Sequence, residues 1–143
     1  MIFLPDHLGA RLLANGQASL VHEIDHIPVV KFFDPCGAAT WLLSECRPDE
    51  PENLFGLCDL GMGYPELGYV SLAELKSVKN RLGLPLERDF YFAPRYPLSI
   101  YAHAARLAER ITEDEAALTQ AAVALGWTPP PGFQTPPPDR GDG

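Results

Sequence analysis

The chain has 143 residues and carries 19 acidic against 11 basic side chains, for a net charge of −8. That length gives one domain whose folding buries roughly 65–70% of the surface its unfolded chain exposes, so no disulfide is needed to hold it. The three cysteines, Cys36, Cys46 and Cys58, are odd in number and have no CxxC spacing, which argues against a disulfide or zinc framework and fits reduced core thiols in a cytoplasm.

In chain order, the N-terminal MIFLPDHLGARLL lacks a basic start, and Pro5 and Asp6 interrupt its apolar residues at once, so it reads as neither signal peptide nor membrane span. Leu8 to Ala14 is a short helix stopped by Asn15-Gly16. Ile27 to Phe33, β-branched and aromatic, is the first strand, closed by turn chemistry at Asp34-Pro35 and Gly37. Ala39 to Cys46 is the second, followed by an acidic, proline-broken loop, RPDEPEN. Leu54 to Leu60 and Leu67 to Val70 are two further strands around a glycine hairpin at Gly61 and Gly63. Short connections make an antiparallel meander the economical arrangement.

Ser71 and Glu74 stand three apart as a capping box, predicting a helix from Leu72 to Leu82 with Gly83 as its stop. Arg88 to Phe92 reads as one more strand. Pro97 opens a helix to about Arg110, and Thr112 with Glu115 repeats the capping box for a helix to Leu125. From residue 127 the proline-rich TPPPGFQTPPPDRGDG predicts an extended, disordered tail over 127–143. The expectation is an α+β domain over 1–126, with an antiparallel four- or five-stranded meander sheet packed on one side by two or three helices.

Charge is unevenly distributed. Residues 1–75 carry three cations against eleven acids, residues 76–111 seven against three, and residues 112–143 one against five. A bipolar surface follows if these segments fold as separate elements, with a basic face for nucleic acid or an acidic face for a basic protein. Lys76, Lys79, Arg88, Arg95 and Arg106 are the candidate nucleic-acid contacts, because aromatics interleave them in the manner of single-strand binding surfaces.

His22-Glu23-Ile24-Asp25-His26 matches HExxH, whose two histidines bind zinc only when a helix places them one turn apart. Pro28 and a strong strand follow immediately, so the match of His22, Glu23 and His26 is fortuitous and no metal or cofactor is expected. A nuclease would need carboxylates converging on magnesium or manganese. Asp59 and Glu66, which flank the glycine hairpin, are the candidates for that role. No serine or cysteine sits on a nucleophile elbow, and no phosphate loop or dinucleotide fingerprint is present.

PVVKFFDP, ATWLLSE, LFGLCDLGMGYPELGYVSLAEL, GLPLERDFYF and PLSIYA, in this order, resemble the bacterial family known as domain of unknown function 2958 over roughly residues 28–105. The resemblance implies an accessory protein of plasmids or integrative elements. Some members are described loosely as single-stranded DNA endonucleases, but no catalytic residue can be carried over. The functional expectation is a cytoplasmic, non-catalytic module that contacts a protein or single-stranded DNA. A metal-dependent single-stranded DNA endonuclease and an acidic DNA mimic inhibiting a host defence system are the alternatives.

Overall fold

A computed structural model describes residues 3–137. Among these residues the chain forms α1 (Asp6–Ser19), β1 (Val30–Phe33), β2 (Thr40–Arg47), β3 (Glu50–Asp59), β4 (Glu66–Ser71), α2 (Leu72–Ser77), β5 (Glu87–Arg88), α3 (Leu98–Ala108) and α4 (Glu115–Ala124). The strands build one antiparallel sheet in the order β4-β3-β2-β1-β5. β1 to β4 are the expected meander. β5 closes the far side against β1, pairing Arg88 with Phe32. The α+β class with a five-stranded sheet is therefore the fold.

Helices cover both sides of the sheet rather than one. Along β3, Leu54 and Cys58 pack with α1 and α2 (Leu8, Leu12, Leu72, Leu75), whereas Phe55 and Leu57 pack with α3 and α4 (Ile100, Ala104, Leu118). That alternation is the period of two of a strand buried on both faces, and it explains why β2 and β3 read as nearly continuous apolar runs. α3 and α4 bury their apolar stripes on the face opposite α1.

Three helix boundaries differ from the sequence expectation. α1 runs through Asn15-Gly16. Gly16 is there because a Cβ would lie 1.9 Å from the Cys46 carbonyl oxygen, and Asn15 Nδ2 donates to the Ser44 carbonyl at 2.9 Å. α2 begins as predicted, with the Glu74 amide donating to Ser71 Oγ at 3.2 Å, but it ends at Ser77. Asn80 stops it: its Oδ1 accepts the Leu82 and Leu84 amides, and its Nδ2 donates to Asp34 Oδ1 at 3.0 Å. A side chain that binds nearby backbone competes with the helix ladder. α4 is capped by Asp114, which accepts the Ala117 amide at 3.0 Å, while Thr112 accepts the Asp114 amide one step earlier.

The loop expected at RPDEPEN is mostly strand. The turn is only Pro48-Asp49, and Pro51 lies where the β2–β3 register is irregular, so its missing N–H breaks no ladder bond. Past α4, Gly126 at φ +66° turns the chain back. Trp127 then meets Tyr96 edge to face at 5.6 Å and Phe133 at 5.4 Å. Phe133 of the proline-rich segment thus lies against Trp127, and residues 138–143 of the expected tail lie outside the described residues.

Candidate functional site

The sheet ends in two unlike edges. β5 is two residues long, while β4 presents six. A free edge is a row of unpaired N–H and C=O groups, and proteins ordinarily blunt it by shortness, proline, lysine or a bulge. β5 is short. β4, Glu-Leu-Gly-Tyr-Val-Ser, has no proline or lysine and pairs with β3 in unbroken register from Cys58–Glu66 to Asn53–Ser71. Its side chains on the α3 side are apolar and open to solvent: Leu67 is 41% and Tyr69 58% exposed. Tyr69 stands over its cross-strand partner Phe55 with ring centroids 5.1 Å apart.

Next to this edge lies a cleft of about 440 Å³. Its floor is Phe55 and Leu67, its roof the start of α3 at Leu98 and Ser99, and its polar end Glu23, His26 and Glu45. Glu45 reaches the cleft because of a bulge in β2. Leu43 pairs with Gly56 and Glu45 with Phe55, leaving Ser44 as the extra residue. Without it, Glu45 would fall on the face of Leu43 and enter the apolar core of α1; the bulge re-aims it. Ser44, buried, donates to the Phe55 carbonyl at 3.4 Å.

At the polar end, Ser19 Oγ lies 2.9 Å from His26 Nε2 and 3.3 Å from Glu45 Oε1. The residue types suggest a hydrolytic triad, but the connectivity does not. In a triad the carboxylate holds the second imidazole nitrogen and thereby sets the tautomer. Here Glu45 contacts the serine itself, and Ser19 closes the C-terminus of α1, where the helix dipole disfavours a developing oxyanion. The arrangement leaves Glu45 fixed by Ser19 and facing the cleft, suited to binding a donor or a cation. His26 stands out in the sequence within HEIDH; its meeting with Ser19 and Glu45 depends on the bulge and on α1 being a turn longer than expected.

The HEIDH segment is not helical, so His22 and His26 are not set one turn apart. The His26 carbonyl accepts the Leu98 amide at 2.8 Å. Asp25 accepts the Ser99 amide at 3.0 Å through Oδ1 and the Ser99 hydroxyl through Oδ2. Pro97, the residue before α3, offers no side-chain cap, so Asp25 and His26 serve as a remote cap for the first amides of that helix. His22 and Glu23 remain exposed.

Asp59 and Glu66 do not meet. Glu66 pairs with Cys58, the residue before Asp59, so the two carboxylates belong to opposite faces of the sheet. Asp59 is only 2% exposed, and both its oxygens are used: Oδ1 accepts the Gly61 amide at 2.8 Å and Oδ2 the Ile111 amide at 2.9 Å. It is a structural lock. Among the described residues, no three His, Cys, Asp or Glu side chains come together as a metal site requires.

The cations do not form one face either. Arg88 is 2% exposed, its guanidinium donating to the Phe3 carbonyl at 3.3 Å and lying over the Phe90 ring at 4.8 Å, so it cannot touch nucleic acid from there. Lys76 is on α2 and Lys79 just beyond it, whereas Arg106 is on α3 across the sheet. Arg95 is paired with Glu115. Lys31 is bound by Glu113 at 2.6 Å and Asp89 at 3.2 Å. Burial opposes its charge, yet the hydrogen bonds and fields of Glu113 and Asp89 outweigh this and raise its pKa above the usual 10.5.

A family model described as Protein of unknown function (DUF2958) matches residues 3–112. The match reaches further than the motif resemblance, taking in α1 and the HEIDH segment, while α4 and the proline-rich segment lie beyond it. No curated protein and no solved structure matches the chain. No helix among the described residues is long and apolar enough to cross a membrane.

Proposed function

We propose that this chain, which belongs to the DUF2958 family, is a non-catalytic module that binds another protein by strand addition along β4. The observation carrying the reading is the unprotected six-residue edge with Leu67 and Tyr69 exposed beside it. Main-chain groups of such an edge supply affinity, and pockets beside it select alternate side chains of the incoming strand. The cleft between Phe55, Leu67 and Glu45 is placed to act as that pocket. A role as an accessory protein of plasmids or integrative elements, in the cytoplasm, is part of the same proposal, and no cofactor enters it.

Protein binding is favoured over DNA binding by the scatter of the cations and by the net charge of −8, which repels phosphate. Site-specific photo-crosslinking in the source organism tests the reading, with the crosslinking residue at position 69 or, as the control, at the still more exposed Tyr91. A discrete protein adduct from position 69 alone is expected. Cleavage of single-stranded DNA with magnesium or manganese, lost on Glu66→Gln, would overturn the reading in favour of a nuclease.

A further inference from the structure

We infer that the strand docking on β4 is a basic one, with lysine or arginine alternating with apolar residues. This rests on the edge reading above and adds the chemistry of the occupant. A strand laid against β4 sends alternate side chains to the two faces of the sheet. On the α3 side they lie beside Leu67 and Tyr69, at the mouth of the cleft. The carboxylates at the polar end of that cleft, Glu23 and Glu45, take part in no ion pair among the described residues. The arginine nearest along the chain, Arg47, is already bound to Asp49 at 2.9 Å. On the other face the strand meets Glu66, which likewise takes part in no ion pair among the described residues.

Lysine and arginine match this surface in both of their parts. Their methylene stems cover Leu67 and Tyr69, and their charged ends lie in the field of these carboxylates, Glu66 of β4 itself nearest and Glu45 two strands further in. A second copy of this chain fits less well, since pairing two β4 edges brings two chains of net charge −8 together and offers the same carboxylates no cation.

Fluorescence anisotropy with the full chain tests the inference, using labelled peptides KVKVKVKV, TVTVTVTV and EVEVEVEV and the proline-broken KVKPKVKV. The basic strand peptide is expected to bind at least about tenfold more tightly than the neutral one at about 50 mM salt and to lose most of that advantage at about 300 mM. Glu23→Gln at an exposed position, combined with Glu45→Gln, whose amide oxygen still accepts from Ser19, is expected to remove the preference, and Leu67→Lys to weaken binding of every strand peptide. Neutral or acidic peptides binding as tightly as the basic one would overturn the basic occupant and leave the edge reading standing. If no strand peptide binds, or the proline-broken peptide binds as well as the intact one, both readings fall. Concentration-dependent dimerisation lost on Leu67→Lys would overturn the basic occupant in favour of a second copy.

Discussion

Asp59 and Ile111, 52 residues apart in sequence, are joined by a hydrogen bond of 2.9 Å from the Ile111 amide to Oδ2. The same carboxylate holds the Gly61 amide at 2.8 Å, so one buried side chain ties the glycine hairpin to the turn between α3 and α4. That turn needs holding, since Glu109 adopts a left-handed φ of 61° and the Arg110 amide folds back to the Ala105 carbonyl. Hydrogen bonds to a charged acceptor contribute about 1.5–3 kcal/mol each and are not fully additive. Asp59→Ala is expected to lower unfolding stability by about 2–4 kcal/mol in urea titrations. Magnesium or manganese should leave the wild-type midpoint where it is.

The remote cap on α3 gives a second expectation. Asp25→Ala removes the acceptor of the Ser99 amide and hydroxyl and is expected to cost about 1 kcal/mol, the usual loss for a helix cap. His22→Ala, at an exposed position outside the cap, should be neutral within about 0.5 kcal/mol in thermal melts. A zinc-binding HExxH would reverse the ranking, with His22→Ala abolishing zinc-dependent stabilisation in thermal melts.

Gly16 lies where α1 crosses β2. Because an added Cβ would sit 1.9 Å from the Cys46 carbonyl oxygen, Gly16→Ala must push helix and sheet apart. The expected loss is about 1–3 kcal/mol by denaturant unfolding, although alanine is the better helix former.

Much of the fold was legible because its signals are local. The β2 and β3 runs, the Gly61 and Gly63 hairpin and the Ser71 cap each announce themselves within a few residues. What was not legible depends on partners far along the chain. Asn15-Gly16 resembles a helix stop until Cys46 and Ser44 are seen beside it. Asn80 ends α2 while also bonding Asp34, 46 residues away. At the candidate site, Leu67 and Tyr69 read as ordinary strand residues, since nothing local tells an edge strand from a central one. Glu45 faces the cleft only through the Ser44 bulge.

Lys31 sets the alkaline behaviour. Its pKa is raised by Glu113 and Asp89, so the contribution of this ion pair is complete below the usual lysine value of 10.5 and is lost as pH rises through the higher folded value. The stability difference between wild type and Lys31→Met should hold steady from pH 7 to about 10 and shrink above that, as followed by urea midpoints.

The thiols should react in sequence. Cys36 is exposed, whereas burial pushes the Cys58 thiol up to about 11, and burial followed by the Glu45 carboxylate raises Cys46. Near pH 8, a thiol reagent is expected to label Cys36 in the folded protein and the other two only on unfolding. Fast labelling of Cys58 would show that β3 and β4 separate readily.

The most direct test of the docking edge is amide hydrogen exchange over residues 66–71, measured on the full chain with and without a saturating strand peptide. Alternate amides of β4 point away from β3 and have no partner in the free sheet. Those amides are expected to slow when the peptide binds, while the amides of α3 keep their rates. Bound peptide with unchanged exchange along β4 would contradict strand addition at this edge.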